Sequence, residues 1–86
     1  MTKREKLIER LRNNPKNVTF DELKDLLVYF GFEYRKNGSS HFPFKHPKYP
    51  GLRIVVPYKS PFLKPIYVQL VLKELDKYHI LEDLLD

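Results

Sequence analysis

The chain has 86 residues, of which 42% are hydrophobic and 14% aromatic, and it carries a formal net charge of +5. This composition is typical of one small globular domain and excludes a disordered chain. No apolar run reaches the roughly 18 residues of a membrane span, and the charged start lacks the apolar region of a signal peptide. The absence of cysteine excludes disulfides and thiolate metal sites, so we expect a cytoplasmic protein with no membrane partner.

Positive charge is concentrated in two parts of the chain. Residues 1–17 carry a net +4 and residues 31–64 a net +6, whereas residues 18–30 and 65–86 are net acidic. Clustered lysine and arginine favour a polyanionic partner such as RNA, because phosphate neutralisation supplies the sequence-independent part of nucleic-acid affinity. The alternative is a set of ordinary solvated side chains without a partner.

Two helices are predicted before any strand. Residues 2–13 form a short basic helix on an N-terminal extension, residues 1–17, and it leans on the rest of the domain through a thin apolar stripe. Thr19 and Glu22 have the spacing of a capping box, and Gly31 suits the left-handed residue that follows a helix. Between them, the apolar residues at helical spacing are Phe20, Leu23, Leu26, Leu27 and Phe30.

Three strands are predicted next, with an Asn37-Gly38 hairpin turn between the first two. They cover residues 32–36, 40–46 and 52–56, and residues 46–51 form the second turn. Alternation gives the sheet a core face made of Phe32, Tyr34, Phe42, Phe44, Leu52, Ile54 and Val56. The opposite, open face carries Glu33, Arg35, His41, Lys45 and Arg53. Because Pro43 lacks a ladder donor in the middle strand, we expect a bulge or local break near it.

A last helix begins at Pro65, and its predicted apolar side is made of Ile66, Leu70, Val71, Leu75 and Tyr78. Val68 and Leu72 are then left over and, with the acidic amphipathic tail of residues 79–86, are available to a partner helix. The predicted fold class is α+β, in a single domain of residues 1–86. Its α-β-β-β-α core spans residues 18–78 and has an antiparallel sheet with helices on one face, preceded by the extra N-terminal helix.

His41 is the candidate catalytic residue. Imidazole titrates near neutrality and can take a proton from an RNA 2′-hydroxyl or protonate a leaving oxygen, and nearby cations can stabilise the phosphate. The alternative is an ordinary strand histidine. His46 in the turn and His79 at the end of the last helix have structural explanations. The three histidines lack metal-ligand spacing, so no metal or small-molecule cofactor is expected.

Four motifs in order resemble the HicA (YcfA-like) toxins of toxin–antitoxin pairs. Phe20-Asp21-Glu22-Leu23 through Phe30-Gly31-Phe32 is similar to the family's first helix and its entry into the sheet. Lys36-Asn37-Gly38-Ser39-Ser40-His41 looks like the glycine–serine–histidine signature. Phe44-Lys45-His46-Pro47, and Ile54-Val55-Val56-Pro57 with Leu63-Lys64-Pro65, resemble the later strand ends and the start of the last helix. Tyr58 stands where many members have a second histidine, and Ile66-Tyr67 replaces small residues.

The resemblance implies a fold like that of double-stranded-RNA-binding domains and the activity of an mRNA interferase, a metal-independent endoribonuclease inhibited by a HicB-type antitoxin. It also implies that His41 is catalytic and that Gly38 and Ser40 shape its turn. The candidate RNA-binding residues are Arg35, Lys36, Gly38, Ser40, Lys45, Arg53 and Lys64. Two alternatives are a non-catalytic RNA-binding module of the same fold and a protein-interaction domain.

Overall fold

A computed structural model describes residues 3–35 and 40–81 of the chain. Its elements, in order, are α1 (Lys3–Asn13), α2 (Phe20–Tyr29), β1 (Glu33–Tyr34), β2 (His41–His46), β3 (Tyr49–Pro57) and α3 (Pro65–Lys77). The strands form one antiparallel sheet in the order β1-β2-β3. The predicted α+β class, the antiparallel sheet and the order of elements are therefore confirmed. The predicted Asn37-Gly38 turn lies outside the described residues.

The ends of α2 are formed by local chemistry. The Thr19 hydroxyl accepts a hydrogen bond from the backbone N–H of Glu22, and the Glu22 carboxylate accepts one from the N–H of Thr19, which confirms the capping box. Gly31 has φ of +98°, a conformation that side chains rarely adopt. The N–H of Phe32 then donates to the carbonyl of Leu27 at 3.0 Å, so the chain leaves the helix and enters β1 directly.

The expected irregularity lies two residues beyond Pro43, and Pro43 itself is accommodated without a bulge. It pairs with Val55 inside an unbroken register, and the irregularity lies between Lys45 and His46. Because proline cannot donate, the Pro43–Val55 pair must be one without direct hydrogen bonds, and the Pro43 backbone faces β1. β1 pairs only with Phe44 and Lys45, so it ends one position before Pro43. The N–H donor that Pro43 lacks would therefore point to a position where β1 no longer pairs with β2.

The second turn is shorter than predicted, and β3 is correspondingly longer. β2 ends at His46 and β3 begins at Tyr49, with His46 and Tyr49 paired and only Pro47-Lys48 between them. Pro50 can lie in β3 because β3 is at the edge of the sheet.

The buried strand residues face the helices, as the alternation predicts. Phe44, Leu52, Ile54 and Val56 are each at most 2% exposed, and Phe42 is half-buried. The expected burial of Tyr34 is wrong: its side chain is 40% exposed, because β1 is a two-residue edge strand. The Tyr34 ring covers the margin of the core instead, with its centroid 5.4 Å from that of Phe44.

The buried face of α3 differs from the predicted one. Ile66 and Leu70 are exposed, and the residues that enter the core are Val68, Val71, Leu72 and Leu75. Val68 and Leu72 are therefore not available to a partner helix. Of the amphipathic tail, Ile80 and Leu81 are buried in the same core, and residues 82–86 lie outside the described part of the chain.

The N-terminal helix α1 is attached to both other helices. Leu11 is 1% exposed and Ile8 is also buried, so α1 contributes to the core. The Arg10 guanidinium lies 3.2 Å from the Glu22 carboxylate on α2, and Arg12 forms a two-bond ion pair with Asp76 on α3. In the described part of the chain, every helix is too short or too polar to cross a membrane.

Candidate nucleic-acid interface

The open face of the sheet is arranged in three rows of cross-strand neighbours. Residues directly opposite each other in an antiparallel pair project from the same face. His41 and Pro57 form the first row, and Pro43 and Val55 the second. The third row crosses all three strands and is made of Glu33, Lys45 and Arg53. The sheet thus presents a histidine row, an apolar row and a charged row on one surface.

His41 is the first residue of β2 and its side chain is exposed. The backbone of His41 is held by pairing with Pro57. The adjacent residues are also hydrogen-bonded, since the N–H of Tyr58 donates to the carbonyl of Ser40. An exposed imidazole on a paired strand can approach a large polyanion that lies across the sheet. This is the placement on the open face that the alternation predicts.

The cations of the open face are not used in ion pairs within the described part of the chain. Arg35, Lys45 and Arg53 are exposed, and no ion pair joins any of them to a described carboxylate. By contrast, Arg10 and Arg12 of α1 each bind a carboxylate on another helix. The helix cations therefore attach α1 to the domain, whereas the sheet cations remain available to an external anion.

The charged row borders a surface pocket of about 320 Å³. Its lining residues are Glu33, Tyr34, Arg35, Pro43, Lys45 and Arg53. Lys45 lies four residues from His41 along β2, which corresponds to about 13 Å at the usual rise of a strand. Strand alternation groups His41 with these cations, but in the sheet register the apolar row lies between the imidazole and the charged row.

Two of the other predicted RNA-binding residues, Ser40 and Lys64, do not join this cluster. Ser40 precedes β2, and its carbonyl oxygen accepts from Tyr58. Lys64 is the N-cap of α3, and that helix packs against the opposite, buried face of the sheet. Lys36 and Gly38 lie outside the described residues, and so does the rest of the turn between β1 and β2.

Tyr58 is placed on the helix side of the sheet rather than beside His41. Its ring is 52% exposed and packs edge-on against Phe20 of α2, with ring centroids 5.2 Å apart. Tyr58 therefore extends the aromatic margin of the core. The described residues also contain no group of three metal-ligating side chains.

One feature of this surface is missing from the sequence-based site. The apolar row of Pro43 and Val55, which separates His41 from the cations, depends on the pairing register of β2 with β3. Strand alternation places both residues on the open face, and the register then shows that they lie opposite each other. His46 has a structural position instead: its Nε2 atom is 2.8 Å from the carbonyl oxygen of Phe30.

Comparison with models of known families, with curated proteins and with solved structures finds no match for this chain. The resemblance to HicA toxins therefore depends on the four sequence motifs alone.

Proposed function

We propose that the chain is a metal-independent endoribonuclease of the HicA type, a toxin that cleaves mRNA and is inhibited by a HicB-type antitoxin. The observation that carries the proposal is the placement of His41, an exposed imidazole on the same sheet face as three cations that form no ion pair with a described carboxylate. The proposal includes a fold like that of double-stranded-RNA-binding domains and a cytoplasmic location.

The chemistry needs one proton acceptor placed over an RNA backbone. His41 takes the proton of a 2′-hydroxyl, and the 2′-oxygen attacks the adjacent phosphorus. A bond forms between the 2′-oxygen and phosphorus while the bond to the 5′-oxygen breaks, giving a 2′,3′-cyclic phosphate and a 5′-hydroxyl. The leaving 5′-oxygen receives its proton from the imidazolium or from water. A base that acts near neutral pH is what this reaction requires, and histidine has that property.

The decisive experiment is cleavage of single-stranded RNA in the presence of EDTA. The wild-type chain is expected to produce fragments with cyclic-phosphate ends, and His41→Ala is expected to lose activity by at least about a hundredfold, the usual range for a general acid–base residue. His79→Asn is the matched control, since it removes another exposed histidine, and asparagine tolerates the positive φ of that position. Full activity in His41→Ala would exclude the proposed mechanism.

The second candidate is a non-catalytic RNA-binding module of the same fold. The separation of about 13 Å between His41 and the charged row favours it, because Arg53 and Lys45 can bind phosphate without the imidazole. This module would bind RNA in a salt-dependent manner and give no cleavage products. Its affinity for RNA would not change in His41→Ala.

A further inference from the structure

We infer that the pocket bordered by Arg35, Lys45 and Arg53 is a phosphate subsite for single-stranded RNA, remote from the bond at which His41 acts. This inference deepens the proposed function, and its binding arm can be tested whether or not the chain cleaves RNA. Three cations converge on one concavity of about 320 Å³, and none is paired with a described carboxylate. Guanidinium and ammonium groups are the side chains that bind phosphate oxygens.

The distance from the pocket to His41 determines which phosphate can occupy it. Lys45 and Arg53 form a row about 13 Å along the strands from His41 and Pro57. A phosphate in the pocket therefore belongs to a nucleotide a few positions away from the one at His41. The subsite adds affinity only for an RNA strand long enough to reach both places.

The surface between the two places favours an unpaired strand. Val55 lies there with Pro43, which is also the lining residue of the pocket nearest to His41 along β2; both are half-buried and offer an apolar surface without a hydrogen-bonding side chain. Bases of a single strand can turn toward such a surface while the phosphates contact cations. In a duplex the bases are stacked and paired inside the helix, so they cannot reach this row of the sheet.

Glu33 allows the effect of charge on phosphate binding in the pocket to be tested. It is opposite Lys45 in the same row and is the only acidic residue among the described residues that line the pocket. A carboxylate at this position opposes phosphate binding through its charge. Replacing it by the isosteric amide removes that repulsion without changing the shape of the side chain.

The test measures RNA binding by fluorescence anisotropy with the His41→Ala chain, so that cleavage does not interfere. The probes are labelled single-stranded oligonucleotides of mixed sequence, a dinucleotide and a decanucleotide, and a duplex of the same decanucleotide. We expect the decanucleotide to bind more tightly than either of the others. Adding Arg53→Gln or Lys45→Gln weakens its binding about tenfold and lowers the slope of log K against log salt by about 0.7 for each lost phosphate contact.

The controls distinguish a subsite from general positive charge. Lys73→Gln removes an exposed lysine from α3, on the other side of the sheet, and is expected to leave the affinity for the decanucleotide unchanged. Glu33→Gln is expected to tighten binding several-fold. Circular dichroism confirms that each variant folds.

The inference would be overturned by equal weakening by Lys73→Gln and Arg53→Gln, by no advantage of the decanucleotide over the dinucleotide, or by tighter binding of the duplex. Cleavage separates the two proposals. If wild-type chain cleaves RNA but Arg53→Gln and Lys45→Gln bind the decanucleotide normally, the subsite is excluded and the nuclease stands. If these variants lose affinity while no RNA is cleaved, the subsite stands and the nuclease is excluded.

Discussion

The Nε2 atom of His46 lies 2.8 Å from the carbonyl oxygen of Phe30. On the other side of the ring, Nδ1 is 3.1 Å from the backbone nitrogen of Lys48. Because a backbone N–H can only donate, Nδ1 is the acceptor, and the proton of the neutral ring is on Nε2, which donates to Phe30. The imidazole therefore connects the end of α2 to the turn between β2 and β3.

Replacing His46 by phenylalanine tests this connection. The substitution retains an aromatic ring beside Phe32, whose centroid is 5.0 Å away, but removes both hydrogen bonds. The free energy of unfolding should fall by about 1–3 kcal/mol, because two backbone groups lose their partners. Urea denaturation measures the change, and Lys73→Gln, at an exposed position of α3, should stay within about 0.5 kcal/mol of wild type. Equal stability of His46→Phe and wild type would show that solvent replaces the two bonds.

Gly31 lies against the same ring and should not tolerate a side chain. Its φ is +98°, and a Cβ atom added there would be 3.0 Å from Nε2 of His46. Gly31→Ala should cost at least about 1–2 kcal/mol from backbone strain, with a further cost from displacement of the imidazole. In a His46→Ala background the second cost disappears, so the two substitutions should be non-additive by more than about 0.5 kcal/mol. Additive unfolding free energies would contradict the predicted contact.

The boundaries of α2 are predictable from sequence, whereas the orientation of α3 is not. Thr19, Glu22 and Gly31 act through neighbouring backbone groups, so their pattern is informative without the rest of the fold. α3 is apolar around most of its circumference, and a stripe that includes Ile66 and Leu70 is as regular as the one that is buried. Only packing against the sheet and the other helices selects the buried stripe.

Leu70 and Leu72 of α3 allow a direct test of which stripe of the helix is buried. Leu70 is 44% exposed and Leu72 is 6% exposed, although both are leucines near the middle of one helix. Leu72→Ala should lower the free energy of unfolding by about 2–4 kcal/mol through lost burial and a cavity. Leu70→Ala should change it by less than about 1 kcal/mol. The reverse order in urea denaturation would support the stripe predicted from sequence.

The face on which the candidate site residues lie is predictable from sequence, whereas their positions relative to one another are not. Period-two alternation is sufficient to put His41, Lys45 and Arg53 on one face, because it needs no knowledge of neighbouring strands. Their separation depends on the register, which is a tertiary property. The unbroken pairing of Pro43 itself is a tertiary property too, since whether its missing donor matters depends on where β1 ends.

The attachment of α1 should depend on burial more than on charge. The Arg12–Asp76 ion pair is exposed, with side-chain exposures of 45% and 47%, so Arg12→Ala should cost at most about 1 kcal/mol. Leu11, the adjacent residue, is 1% exposed, and Leu11→Ala should cost about 2–5 kcal/mol. Urea denaturation of the two variants gives the comparison. A larger loss in Arg12→Ala would mean that the ion pair, rather than the apolar contact, holds α1 in place.

Glu22 should make the stability of the fold depend on pH in the acid range. Partial burial alone would raise the pKa of its carboxyl, but hydrogen bonds from Thr19 and Arg10, with the charge of Arg10, outweigh that effect and lower the pKa below its ordinary value of 4.5. A lowered pKa in the folded state stabilises the fold above pH 4.5, and the contribution is lost as the pH falls through the folded-state pKa.

Glu22→Gln should therefore be less stable than wild type at neutral pH, and the difference should shrink on acidification. Arg10→Gln should also flatten the acid dependence, because it removes one group that lowers the pKa. Urea denaturation between neutral pH and pH values well below 4.5 measures both effects, and a difference between wild type and Glu22→Gln that stays constant with pH would contradict the prediction.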